Sequence, residues 1–111
     1  MTVATPPMTM VIAERKLTAV LPTGKRRIIT IQIGRPARDP NPNGAWYCPI
    51  RVKGMGKVLV HSFFGVDQLQ ALQFAQGILD LEVHGFAESC RLSWLGQPDL
   101  GLKPWIPKLN G

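Results

Sequence analysis

Side chains able to make or break covalent bonds, or to hold a metal, are scarce in this sequence, which has two cysteines, Cys48 and Cys90, and two histidines, His61 and His84. Nucleophilic hydrolysis needs a Ser or Cys beside a base that a third group orients. Neither cysteine lies in a recognisable signature of that kind, so no catalytic residue is expected and the chain does not read as an enzyme. Structural zinc ligands usually come in close pairs. Cys48, His61, His84 and Cys90 each stand alone in the sequence, so neither a metal nor any other cofactor is expected. Asp80 and Glu82, two apart on a helix, point in different directions and read as solvated charges rather than a carboxylate pair. No apolar run approaches the roughly 20 residues of a spanning helix, and Met1 to Met10 lacks the basic-then-apolar order of a secretory signal. The expected setting is the cytoplasm, without a membrane, and there the two thiols should stay buried and unpaired. Charge is thin as well: 18% of residues are charged against 45% hydrophobic, a balance that suits a packed core and excludes general disorder.

What is present fits one core. A chain of 111 residues has the size of one domain. Its net charge of +6 is uneven: residues 1–57 hold ten Lys or Arg against Glu14 and Asp39, and residues 58–111 hold three against five acids. Such a field attracts acidic proteins or phosphate backbones, and it also serves solubility.

The pattern along the chain predicts an α+β fold of order β-β-β-β-α-β. Residues 1–8, with Pro6-Pro7, read as a flexible leader, and residues 9–111 as a single domain with an irregular apolar tail over 97–111. Residues 9–21 suit a first strand, its Glu14-Arg15-Lys16 interruption pointing to an edge or a bulge. Over 27–34, Ile29, Ile31 and Ile33 alternate with Thr30 and Gln32, the period of a half-buried strand. Three prolines and an Asn-Gly make Pro36 to Gly44 a loop without regular structure. Trp46, Cys48, Ile50 and Val52 then alternate as a third strand, in which Pro49 favours an edge or bulge. Gly54-Met55-Gly56 with Lys57 has the look of a phosphate loop but joins two strands, so it reads as a hairpin turn into a fourth strand, Lys57 to Phe64. A fifth strand is expected over Cys90 to Leu95. The sheet is thus a meander of four antiparallel strands plus one, with a helix on one face.

That helix, from Asp67 to about Gly85, opens with capping signals: Asp67 as cap, Gln70 completing a capping box and Val66 stapled onto Ala71. Its polar positions Gln70, Gln73, Gly77, Asp80 and His84, continued by Glu88, fill a narrow arc, and apolar residues fill most of the rest. One sheet face needs little more than a 100° stripe, so Phe74, Ile78 and Leu81 require a second cover. Either the tail, through Leu100 to Leu109, folds over them, or a partner protein or second copy of the chain does.

By elimination, the expected function is a non-catalytic protein–protein interaction module, of the kind represented by a bacterial immunity or inhibitor protein that blocks a toxin or enzyme. The expected contact residues are Arg35, Arg38, Arg51, Lys53, Phe74, Ile78 and Leu81. The alternative is a nucleic-acid-binding or regulatory protein using the basic half through Lys25, Arg26, Arg27 and Lys57, with Trp46 and Tyr47 as stacking groups. Finally, Ile33-Gly34-Arg35-Pro36, Trp46-Tyr47-Cys48-Pro49, Phe64-Gly65-Val66-Asp67 leading to Gln70-Ala71-Leu72, and Leu92-Ser93-Trp94-Leu95-Gly96 followed by Asp99-Leu100-Gly101 together resemble a family of small bacterial domains of unknown function, over roughly residues 28–102. The resemblance implies a shared fold and carries no activity or ligand residues.

Overall fold

The computed structural model describes residues 6–40 and 44–103. The chain forms β1 (Val11–Val20), β2 (Arg26–Gly34), β3 (Ala37–Arg38), β4 (Trp46–Gly54), β5 (Lys57–Gly65), α1 (Gln68–Phe86) and β6 (Arg91–Ser93). All pairings are antiparallel, and the fold is α+β. Across the sheet, β5 pairs β4, β4 pairs β2 and β3, β2 pairs β1, and β1 pairs β6. The four long strands are therefore a meander, and β6 returns to lie beside β1. The one addition to the expected order is β3, inside the proline-rich stretch. Pro36 cannot donate a ladder bond, so β2 breaks there, and Ala37 and Arg38 resume pairing on the same line against Tyr47 and Trp46.

The isoleucine alternation in β2 sends Ile29, Ile31 and Ile33 toward the helix, where they are buried with Leu17, Ala19, Cys48, Ile50 and Val52. From α1 come Ala71, Ala75, Leu79, Val83 and Phe86, one face at helical spacing. The opposite sheet face is less exposed than alternation alone implies. Thr30 and Gln32 are buried, and Gln32 joins a row of side chains over three strands: its Nε2 donates to Glu14 Oε1 at 2.7 Å, and Arg51 Nε donates to its Oε1 at 2.7 Å. Tyr47 and Pro49 are buried on this face as well, because the chain before β1 crosses it. Thr9 Oγ1 donates to Arg35 O at 2.6 Å, Tyr47 Oη to Pro7 O and Ser62 Oγ to Pro6 O, both at 3.4 Å. Gly34 lies beneath that crossing, where any side chain would run into Thr9, Pro49 and Met8.

Helix α1 begins at the expected cap, with two differences. Asp67 Oδ1 accepts from Gln70 N at 2.8 Å, but Gln70 Oε1 accepts at 2.8 Å from Val66 N, one residue before the cap, rather than from the Asp67 N–H of a capping box. The expected staple of Val66 onto Ala71 does not form, since Val66 is 85% exposed. The backbone of Gly65 occupies that place instead: a Cβ there would lie 2.5 Å from Ala71 N.

The described part of the tail, as far as Lys103, takes the opposite side of the helix from the one in need of cover. Leu100 is buried in the core with Leu17 and Ile31, and Leu102 packs onto both core clusters beside Leu79. Arg15 holds it there, with Nη1 donating to Leu100 O at 3.0 Å and to Gly101 O at 3.1 Å, and its guanidinium 3.8 Å from the Trp94 ring centre. The expected cover by Trp105, Ile106 and Leu109 falls outside the described residues.

Candidate interaction surface

Strand β5 is the outer strand of the sheet on the side of β4, and α1 packs over β4 and β5. The hairpin before it fixes which of its backbone groups are free. Met55 and Gly56 both have positive φ, 56° and 79°, the two-residue turn whose flanking residues, Gly54 and Lys57, form a hydrogen-bonded pair. Alternation then ties Leu59, His61 and Phe63 to β4 and points the N–H and C=O of Val58, Val60, Ser62 and Phe64 away from the sheet. Among the described strands, none pairs with that edge.

Apolar side chains flank it on both faces. Val58 is 62% exposed and Phe64 44% on the outer face. On the helix face, Phe63, Phe74 and Ile78 line one hollow, and Leu59, Ile78 and Leu81 line another. Leu81 is 63% exposed, whereas Phe74 and Ile78 are half-buried against β5. Between the two hollows His61 Nδ1 lies 2.8 Å from Glu82 Oε2. Glu82 is therefore engaged across the helix–strand gap rather than simply solvated; its helical spacing from Asp80 gave no hint of a partner 21 residues back in the sequence.

The other expected contact residues do not join this surface. Arg35 and Arg38 sit at the opposite end of the sheet from Lys57, with Arg38 Cζ 5.5 Å from the Trp46 ring. Arg51 is half-buried in its bond to Gln32, and Lys53 lies across from Thr30 on the outer face. The nucleic-acid set does gather. Lys25, Arg26 and Arg27 open β2 at the end where β4 closes and Lys57 opens β5, and Arg91 lies across Val20 from Arg26. The aromatic part of that expectation does not: Tyr47 is buried, and Trp46 sits at the other end beneath Arg38. Lys57 Nζ lies 5.3 Å from the Phe86 ring centre. Val58 and Phe64 belong to this exposed surface but were not singled out from sequence, although the signal was there: Lys57 to Phe64 is apolar on both alternating faces.

Groups with chemical potential are otherwise engaged. Cys48 is buried, its Sγ 3.4 Å from Gly34 O, and desolvation pushes its pKa up from 9.0 to about 11, so the thiol stays protonated. Cys90 lies 4.0 Å from Met55 Sδ, and both cysteines are free. His84 Nδ1 lies 2.9 Å from the Asp80 carbonyl. Among the described residues, no three His, Cys, Asp or Glu side chains come together, and no helix is long and apolar enough to cross a membrane.

A family model matches residues 13–104, that of the family described as Domain of unknown function (DUF6968), and the chain belongs to that family. No curated protein and no solved structure matches it.

Proposed function

We propose that this DUF6968 chain is a non-catalytic binding module that engages a protein through the β5 edge and the adjoining flank of α1. One observation carries the reading: among the described residues no strand pairs with the outer edge of the nine-residue β5, and Val58, Phe64 and Leu81 are exposed beside it. Proteins usually protect such edges with charge, proline or a covering element. Here the edge between Lys57 and Gly65 carries no charged residue other than His61 when protonated. Strand addition at an open edge supplies backbone hydrogen bonds, and apolar hollows on either side supply selectivity. Occluding a toxin or enzyme is one use of such a surface. A cytoplasmic setting agrees with two free thiols.

Affinity capture from the native cell tests the proposal. A protein recovered in stoichiometric amount with the natural chain, and lost with a Val58→Lys, Leu81→Glu variant of unchanged thermal unfolding, supports it. Equal recovery with both chains overturns it. The cluster of Lys25, Arg26, Arg27, Lys57 and Arg91 at one sheet end favours nucleic acid as a second reading. That reading predicts a salt-dependent gel shift with random RNA or DNA, removed by charge reversal at Lys25, Arg26 and Arg27.

A further inference from the structure

We infer that the partner at this surface is a second copy of the same chain, joined β5 to β5 into one continuous antiparallel sheet; this rests on the proposed use of the β5 edge. In an antiparallel pair made by a two-fold axis normal to the sheet, opposed residues must lie on the same face, and the outward-pointing groups must meet each other. An axis through any residue of β5 meets both conditions, and one at His61, the midpoint, pairs the whole strand. Val58 then opposes Phe64 of the second copy, and Val60 opposes Ser62, as hydrogen-bonded pairs. Leu59 opposes Phe63, and His61 opposes His61, as the closer pairs between them. All four outward residues find partners, and the exposed Val58 and Phe64 cover each other as a β-branched–aromatic pair.

The placement of the helices suits the same arrangement. Helix α1 sits over β4 and β5, and with strands about 4.8 Å apart the axes of the two helices come to roughly 10 Å, the upper end of ordinary helix packing. Phe74, Ile78 and Leu81 are the residues on the flanks that meet. Charge agrees at the two ends of the joint. The antiparallel arrangement sets the Lys57 end of one copy against the Gly65 to Asp67 end of the other, and it holds the two clusters of Lys25, Arg26 and Arg27 at opposite ends of the joint. A nine-residue edge spans about 30 Å. Together with the helix flank it covers about 600 Å² on each copy, or about 1,200 Å² in all, the lower limit for a stable interface.

The mass of the purified chain in solution is the first test. At tens of micromolar it should sediment at twice 12.2 kDa, and Leu81→Glu or Val60→Pro, the latter removing an outward N–H, should return it to a monomer with the far-ultraviolet spectrum unchanged. The second test fixes the register. In a Cys90→Ser background, His61→Cys should give a disulfide-linked dimer under mild oxidation, because residues opposed in a closer pair have Cα atoms about 4.5 Å apart, within disulfide reach. Leu59→Cys should not, since the register places its two copies about 13 Å apart. A monomer at all concentrations, or cross-linking at residue 59 with none at 61, overturns the inference. If the natural chain is monomeric but still loses a captured protein on Leu81→Glu, the binding surface stands and only the second copy is rejected; if capture is also unchanged, both fall.

Discussion

Replacing Arg15 by alanine should release the tail from the sheet. The side chain is half-buried, donates to two carbonyl oxygens, Leu100 O and Gly101 O, and lies against the Trp94 ring. Hydrogen bonds from a charged donor contribute roughly 1.5–3 kcal/mol each, and a cation–π contact at a partly exposed site about 0.5–1 kcal/mol. These terms overlap, and the freed carbonyls can turn to water, so the expected loss is about 2 kcal/mol, a fall in Tm of roughly 8–16 °C for a chain of this size. Urea unfolding of Arg15→Ala against the natural chain measures it. Arg15→Met, which keeps the apolar stem, should lose nearly as much, and Arg15→Lys, a point charge without the fork, should recover less than half. Amide exchange at Leu100 to Leu102 should quicken in the alanine variant while that of β4 keeps pace with global stability. A loss below about 0.5 kcal/mol with unchanged exchange at those amides would refute the claim that Arg15 clasps the tail.

Three further substitutions, at Cys48, Gly65 and Gly85, give predictions of their own. Because Cys48 holds its proton to about pH 11 in the fold and releases it near 9.0 when unfolded, its contribution is intact below pH 9 and stability falls as pH rises from about 9 to 11, by roughly 2–3 kcal/mol; comparing natural and Cys48→Ala chains across that window isolates it, and parallel curves would contradict the assignment. Alanine at two glycines should have opposite effects: at Gly65 a Cβ meets the backbone of Ala71 at 2.5 Å and should destabilise by about 1–3 kcal/mol, whereas Gly85, with open space beside it, should gain up to about 1 kcal/mol of helix propensity. Thermal melts of the two variants read both.

Local pattern carried much of the architecture. The Ile29, Ile31, Ile33 alternation, the Gly54 to Lys57 hairpin and the Asp67 cap each depend on residues close in sequence, and each stands where the pattern places it. What pattern could not convey was which element covers which. The excess apolar width of α1 is evident from spacing alone, yet spacing has no information on whether Leu102 lands beside Leu79 or beside Leu81. Arg15 read as an interruption in a strand because its partners, Trp94 and the Leu100 carbonyl, lie more than 75 residues away. Burial of Tyr47 and Pro49 on the outer face likewise depends on Pro6 to Thr9 crossing that face, a contact no periodicity encodes.

The three isoleucines of β2 leave the meander a problem of its own. Sliding β2 by two positions against β1 or β4 would keep every isoleucine facing the helix, so the oil-filled side cannot tell the correct alignment from its neighbours. The reverse side can. Only when Glu14, Gln32 and Arg51 stand abreast does each amide atom of Gln32 find its mate; two steps away, Thr30 or Gly34 would take that place and strand the carboxylate from the guanidinium. A short run of polar atoms thus acts as the vernier by which otherwise interchangeable greasy rungs are counted.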